Sequence, residues 1–355
     1  MIPFISGVIS SILADMTLDR IKSNSKETVK IAEEKAEKIR INMHISKKTA
    51  EELLPYIIGE ISKDSTKKIQ KLEDLLDDRL HRIYTSIIND KDLNELLIHI
   101  QNAHPNFTSH GPDHSVSIIT NLEKLIPRDS WSKLSPLEIL LLLSSAWLHD
   151  IGMADYNGEL YKAVTEEERK RVSQSYREQH AIRSEKYITN PINYKRLQLD
   201  RPLAEIIGTI CKAHVNEYDL KNISSKWGPI SGYETYGEVR VRFLAALLRL
   251  ADACDLGSKR VKEVLITVYN IPHKYVESIP HLEGALLITG LIIRGKYIVV
   301  QAAPHNKEQA TWVKFLVDML KEDFLSVKPI LEDKKSNGIA IPYKDVQLEL
   351  LEKVQ

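Results

Sequence analysis

The stretch from Ser135 to Asp150 constrains this chain more than any other. Ser135-Pro136-Leu137-Glu138 combines an N-capping serine, a proline suited to the first helical position and a glutamate that completes a capping box. The helix that follows carries Leu140 to Leu143 and Ala146 to Leu148, apolar on nearly every face. Such a helix has no side to offer water and predicts a central, buried element of a helical core. It ends in His149-Asp150, within Ala146-Trp147-Leu148-His149-Asp150-Ile151-Gly152-Met153. An adjacent imidazole and carboxylate can bind one ion together, and the carboxylate keeps a second oxygen to bridge to a neighbouring ion.

With 355 residues the chain can bury a sizeable core and exceeds one typical domain. Lys plus Arg and Asp plus Glu number 49 each, which removes any global electrostatic argument for nucleic acid or an anionic membrane as partner. Two cysteines, Cys211 and Cys254, make no disulfide framework and point to a reducing, cytoplasmic setting. The apolar start from Met1 to Asp15 is too short to span a bilayer and has no basic residue before it, so it reads as a helix packed on its own protein, with a weak membrane- or partner-binding helix as the alternative. No later segment reads as a membrane span.

Along the chain, residues 24–84 are rich in Glu, Lys, Leu and Ile with charges at helical pair spacing, and read as a helical region without catalytic groups. It suits interaction, homo-oligomerisation or plain structural extension. Gly, Pro, Asn and His between His99 and Asp113 suggest a loop. Further helices are expected from near Pro202 and from Gly237 to Leu256, where Gly257 is a plausible terminator. Beyond Lys262 the pattern turns to strands at Val264 to Val268, Ala285 to Ile293 and Tyr297 to Val300, with a turn at Arg294-Gly295-Lys296. A helix from Glu308 to Leu331 and a last strand at Ile339-Ala340-Ile341 follow. The expected fold is mainly α, with a helical extension over residues 1–95, a chemically informative domain over 96–262 and a small α+β subdomain over 263–355.

Helix faces supply partners for the His-Asp pair. His114 shares a stripe with Ile118, Leu122 and Leu125, His180 with Val172, Tyr176 and Tyr187, and His214 with Leu203, Ile207 and Ile210. Asp252 shares a stripe with Leu244 and Leu248, and a carboxylate facing a core costs several kcal/mol unless something pairs with it. Taken singly, each has a bland explanation: a hydrogen-bonded core histidine, or an Asp252 paired with Arg249. Four helices each directing a His or Asp inward, beside His149-Asp150, together point to a metal site.

These residues, His114 followed by Ser115, His149-Asp150 within His-Asp-Ile-Gly, and Asp252 within Arg249-Leu250-Ala251-Asp252-Ala253, resemble the HD superfamily of metal-dependent phosphohydrolases. The resemblance covers about His99 to Arg260. It implies an HD-type all-α core in which His114, His149, Asp150 and Asp252 bind one ion. His180 and His214 fall, in order, where binuclear members carry histidines for a second, and Asp150 would bridge the two. Two such ions would polarise a phosphoryl group and lower the pKa of a water between them. The mixed N and O ligands suit Mn, Fe, Co or Ni, with Mg serving if substrate oxygens help.

His110 is expected near the site mouth, as a proton donor to the leaving group, a phosphate contact or a loop-capping residue. Lys259 and Arg260 are candidates for substrate phosphates or for a solvated helix end. The residues after His149-Asp150 lack the further histidines of deoxynucleotide triphosphohydrolases, and the Val215-Asn216-Glu217-Tyr218 that follows His214 lacks the signature of Gly-Tyr-Pro cyclic-dinucleotide phosphodiesterases. The expected function is hydrolysis of a phosphate ester or anhydride of a nucleotide or cyclic nucleotide by water activated between two metal ions. A non-catalytic nucleotide-responsive regulatory module and a di-iron oxygenase of the same superfamily stay open.

Overall fold

The computed structural model describes residues 71–104, 110–257 and 279–351. The apolar start, most of the Glu/Lys-rich region, the expected strand at Val264 to Val268, and Lys259 and Arg260 lie outside the described residues. From Leu72 onward the chain belongs to one compact unit, Leu72–Gln355. Among the described residues its α-helices, in order, are α1 (Asp78–Ile88), α2 (Lys91–Ala103), α3 (Pro112–Leu125), α4 (Pro136–Leu148), α5 (Glu159–Lys162), α6 (Glu166–Thr189), α7 (Pro191–Arg196), α8 (Arg201–Lys212), α9 (Val241–Ala253), α10 (Ile279–Leu286), α11 (Lys307–Glu332) and α12 (Lys334–Asn337). Three strands, β1 (Ile288–Arg294), β2 (Tyr297–Ala302) and β3 (Asp345–Leu350), lie toward the C-terminus. The fold is mainly α with a small α+β element.

Helix α4 occupies the centre, as its sequence requires. Both halves of the capping box form, between Ser135 and Glu138, and Leu140 to Leu143 have no exposed surface. Each leucine buried this way contributes about 1.5–3 kcal/mol, so the helix has one stable environment: surrounded on all sides. Helices α1, α3, α8 and α9 pack around it. Trp147 Nε1 donates to Tyr84 Oη across 3.3 Å, which ties α1 to α4. Residues 78–103 therefore contribute two helices to the same core, and the loop expected from His99 begins only after Ala103.

The buried Glu138 has a second task at the N-terminus of α4. It accepts from Arg240 Nε at 2.7 Å and Nη2 at 2.5 Å, and from the Arg240 backbone N–H at 3.0 Å. Arg240 also donates to the carbonyls of Lys133 and Asn337. One ion pair thus joins the starts of α4 and α9 to the C-terminal segment.

The strands run in the order β1-β2-β3, β1 antiparallel to β2 and β2 parallel to β3. Gly295, at φ 60°, takes the first position of the two-residue β1–β2 turn, where the left-handed conformation matches strand twist. Helix α11 makes the crossover between the parallel strands and packs on β3, α9 and α10. The last strand is Asp345–Leu350, not Ile339–Ile341. Ile339 and Ile341 are buried, but the Ile341 N–H is bonded to the Leu331 carbonyl at the end of α11, so the apolar triplet plugs the core as a loop. Helix α9 is shorter than expected, ending at Ala253 before Gly257. No described helix is long and apolar enough to cross a membrane.

Candidate metal centre

Several helix termini converge on one point. His149 is the C-cap of α4, His214 follows the end of α8, and Asp252 lies in the last turn of α9. Carbonyl ends of helices carry partial negative charge, so this point favours cations before any side chain is counted. His114 enters from the first turn of α3, which opens on Gly111 and Pro112, and His180 from the middle of the long α6.

The two oxygens of Asp150 face two different groups. Oδ2 lies 2.9 Å from His110 Nδ1, 3.0 Å from His149 Nε2 and 3.4 Å from His114 Nε2. Asp252 Oδ1 joins this side, 3.2 Å from His114 Nε2 and 3.9 Å from His149 Nε2. Oδ1 of Asp150 lies 3.5 Å from His180 Nε2 and 3.6 Å from His214 Nε2, and those two nitrogens are 3.0 Å apart. Three triads, His110/His114/Asp150, His114/His149/Asp252 and His149/Asp150/His214, each have donor atoms within 4.8 Å of one another. Apart from Asp252 and His180, which are part-exposed, the group is buried.

The opposite ring nitrogens explain the orientation. Nδ1 of His149 donates to the Ala146 carbonyl at 3.1 Å, Nδ1 of His180 to Arg177 at 2.6 Å and Nδ1 of His214 to Cys211 at 2.5 Å. Each acceptor lies three residues earlier in the chain, so local backbone geometry sets the tautomer. Nδ1 of His114 meets Asp255 Oδ2 at 2.7 Å. With the proton on Nδ1, each Nε2 presents a lone pair to the carboxylates, the arrangement by which imidazoles bind metal. His149 Nε2 is buried and has no hydrogen-bond partner. Two donors about 2.1 Å from a common ion, at angles of about 90–110°, lie about 3.0–3.4 Å apart. The residues therefore fit divalent cations in both separation and donor chemistry.

Without an ion, the carboxylates draw positive charge from the imidazoles around them instead. Burial alone would raise the Asp150 pKa, yet His149 and His110 hold it well below the usual carboxylate range. Burial likewise opposes ionised Asp252, and His114 and His149 lower its pKa. Burial, with the neighbouring His214, pushes His180 down to about 4. For His214 burial acts the same way, but the hydrogen bond and charge of Asp150 reverse it and raise the pKa. The Nε2–Nε2 contact thus calls for added positive charge, from a proton on His214 or from a cation.

Contacts behind these residues were not apparent in the sequence. Asp255, one helical turn beyond Asp252, holds His114; its only sequence signal is the Asp-x-x-Asp spacing at the end of α9. Ser184 Oγ donates to the His149 carbonyl at 2.5 Å and accepts from the Gly152 N–H at 2.9 Å. Arg183 donates to the carbonyls of Gly152 at 2.6 Å and Ala154 at 3.0 Å. His104 is wedged between Ser173 Oγ at 2.6 Å and the Met153 carbonyl at 2.8 Å. Together these clamp the turn after His149-Asp150 onto α6, the helix that carries His180.

His110 immediately precedes the Gly111 that opens α3, and its Nδ1 donates to Asp150. Arg249 donates to the carbonyls of Ala213 and Tyr218, both at 2.7 Å, rather than to Asp252, and fastens the segment after α8. The cluster opens into a cleft of about 750 Å³ bounded by α6, the segment after α8, α9, α10 and α11.

No curated protein matches the sequence. The family model HD-CE matches residues 104–318, a span holding every described member of the cluster. That match covers more than half of the chain, and the protein, an HD-type protein with a His/Asp cluster suited to metal, belongs to the HD-CE family.

Proposed function

We propose that the chain is a metal-dependent phosphohydrolase that cleaves a phosphate ester or anhydride of a nucleotide or cyclic nucleotide with two divalent ions. The observation that carries this reading is the division of Asp150, one oxygen turned to His114 and His149 and the other to His180 and His214. His114, His149, Asp150 and Asp252 would hold one ion, and Asp150, His180 and His214 the second. Mn, Fe, Co, Ni and Mg all suit this N/O set. When bound, such ions polarise a phosphoryl group and lower the pKa of a water between them.

The chain's own residues do the rest. Asp150 stays ionised across the physiological range, and the Nδ1 anchors keep the imidazoles oriented. His110 holds a proton on Nδ1 against Asp150 and lines the cleft, where it is placed to serve a leaving group or a phosphate oxygen. Lys259 and Arg260, which follow α9, are assigned to substrate phosphates.

The test is a hydrolysis screen over nucleotides and cyclic dinucleotides with added Mn or Mg, run beside Asp150→Ala, together with the metal content of protein purified without chelator. Turnover that vanishes in the variant is the expected result. Absence of bound transition metal, with no activity on adding Mn or Mg, refutes the proposal. Tight nucleotide binding without turnover replaces it with a regulatory module. Oxygen uptake by iron-loaded protein without phosphate release replaces it with a di-iron oxygenase.

A further inference from the structure

The cleft has a second wall, chemically unlike the first. At about 750 Å³ it is far larger than a phosphate group requires and falls in the range of sites that enclose a whole small molecule, about 300–1,000 Å³. Facing it from the C-terminal helices are Ala285 on α10 and Leu316, Met319 and Leu320 on α11, with the His281 imidazole beside them. Met319 is 38% exposed, with Ala285, Leu316 and Leu320 buried behind it. The cleft's lining is more apolar than polar, as in sites that enclose an organic ligand, and Met319 is its open apolar contact on this side.

This wall is built rigidly. At Gly284 a Cβ would lie 3.2 Å from Leu316 Cδ1 and 3.2 Å from Trp312 Cβ, so α10 and α11 meet at glycine distance. The His281 ring meets Phe315 edge-on, with centroids 5.2 Å apart, which fixes its plane.

We infer that the α10–α11 wall binds the base of a nucleotide whose phosphate lies at the His/Asp cluster, an assignment that rests on the phosphohydrolase reading above. The cluster needs positive charge and so sets the anionic end of the ligand. The apolar strip takes an uncharged, flat group. Asn216, Glu217 and Asp323 also line the cleft. Acceptors so placed suit a heterocycle that carries N–H donors, whereas an aliphatic chain would strip them of water and leave them unpaired.

The experiment uses the full chain loaded with Mn²⁺ and measures equilibrium binding of the four nucleoside 5′-monophosphates, ribose 5-phosphate and inorganic phosphate. At least one monophosphate binds about tenfold or more tightly than ribose 5-phosphate, the gain expected of a stacked base. Met319→Glu abolishes that advantage and leaves ribose 5-phosphate binding unchanged, and His281→Ala reduces it. Because Met319 is part-exposed, its substitution leaves the core intact, which circular dichroism checks. Monophosphates that bind no better than ribose 5-phosphate, or an advantage that survives both substitutions, overturn the inference. If neither phosphate nor ribose 5-phosphate binds, the metal–phosphate reading falls instead; free nucleosides then decide the wall, supporting it if their binding is lost in Met319→Glu and overturning it otherwise.

Discussion

Gly152→Ala probes how the two halves of the candidate metal centre are held in register. A Cβ at Gly152 would lie 2.0 Å from the His180 carbonyl oxygen, 2.6 Å from the Ser184 nitrogen and 2.8 Å from Arg183 Cβ, where ordinary contact begins at 3.4 Å. Two of these are backbone atoms of α6, which cannot swing aside as a side-chain tip can, so helix or turn must retreat by more than an ångström. Overpacking of this kind costs about 1–3 kcal/mol. In a unit of this size that corresponds to a fall in Tm of roughly 2–12 °C. The retreat also pulls Ser184 from the His149 carbonyl and carries His180 away from Asp150 Oδ1, while His114, His149 and Asp252 sit on other helices. Thermal unfolding without metal and titration calorimetry with Mn²⁺ test the two consequences. On the two-ion reading proposed above, the expected outcome is a lowered Tm with binding at His180/His214 weakened more than at the other group. An unchanged Tm, or equal loss of both ions, would refute the reasoning.

Asp255→Ala should weaken metal binding by about 10–100-fold, measured by calorimetry, because His114 loses the acceptor that fixes its tautomer; Asp255→Asn, whose side-chain oxygen can still accept from Nδ1, should recover part of it. Asp323 has its pKa raised to about 7 by burial and by Asp252. A carboxyl raised in the folded state contributes stability below its unfolded value, about 3.9, and loses it as pH rises through about 7. Metal-free Asp323→Asn should therefore lose less stability than the parent between pH 5 and 8 in denaturant titrations, and parallel pH profiles would contradict this. Glu138→Ala strands the buried Arg240 and should destabilise the fold by about 3–5 kcal/mol in the same assay, with no direct contact to the metal residues; a loss under 1 kcal/mol would show the pair to be dispensable.

Local chemistry made much of this protein legible in its sequence. The Ser135-Pro136-Leu137-Glu138 start and the apolar run after it specified a capped, enclosed helix ending at His149-Asp150, because capping and burial on every face are properties of the segment itself. Helical stripes placed His114, His180, His214 and Asp252 inward, and all four meet Asp150 or one another. The final strand is not legible in the sequence because Ile339-Ala340-Ile341 is apolar but plugs a loop, whereas the alternating Asp345–Leu350 needs β2 beside it to become a strand. Asp255, Ser184 and Gly152 acquire their roles from residues 141, 35 and 32 positions distant or from a helix backbone at contact distance, and no local periodicity encodes such meetings. The sequence by itself determined which side chains must leave water together. Only tertiary structure decided that Asp150 turns one oxygen to each group of imidazoles and that α10 and α11 wall the cleft, because those relations depend on helix packing rather than on the order of residues.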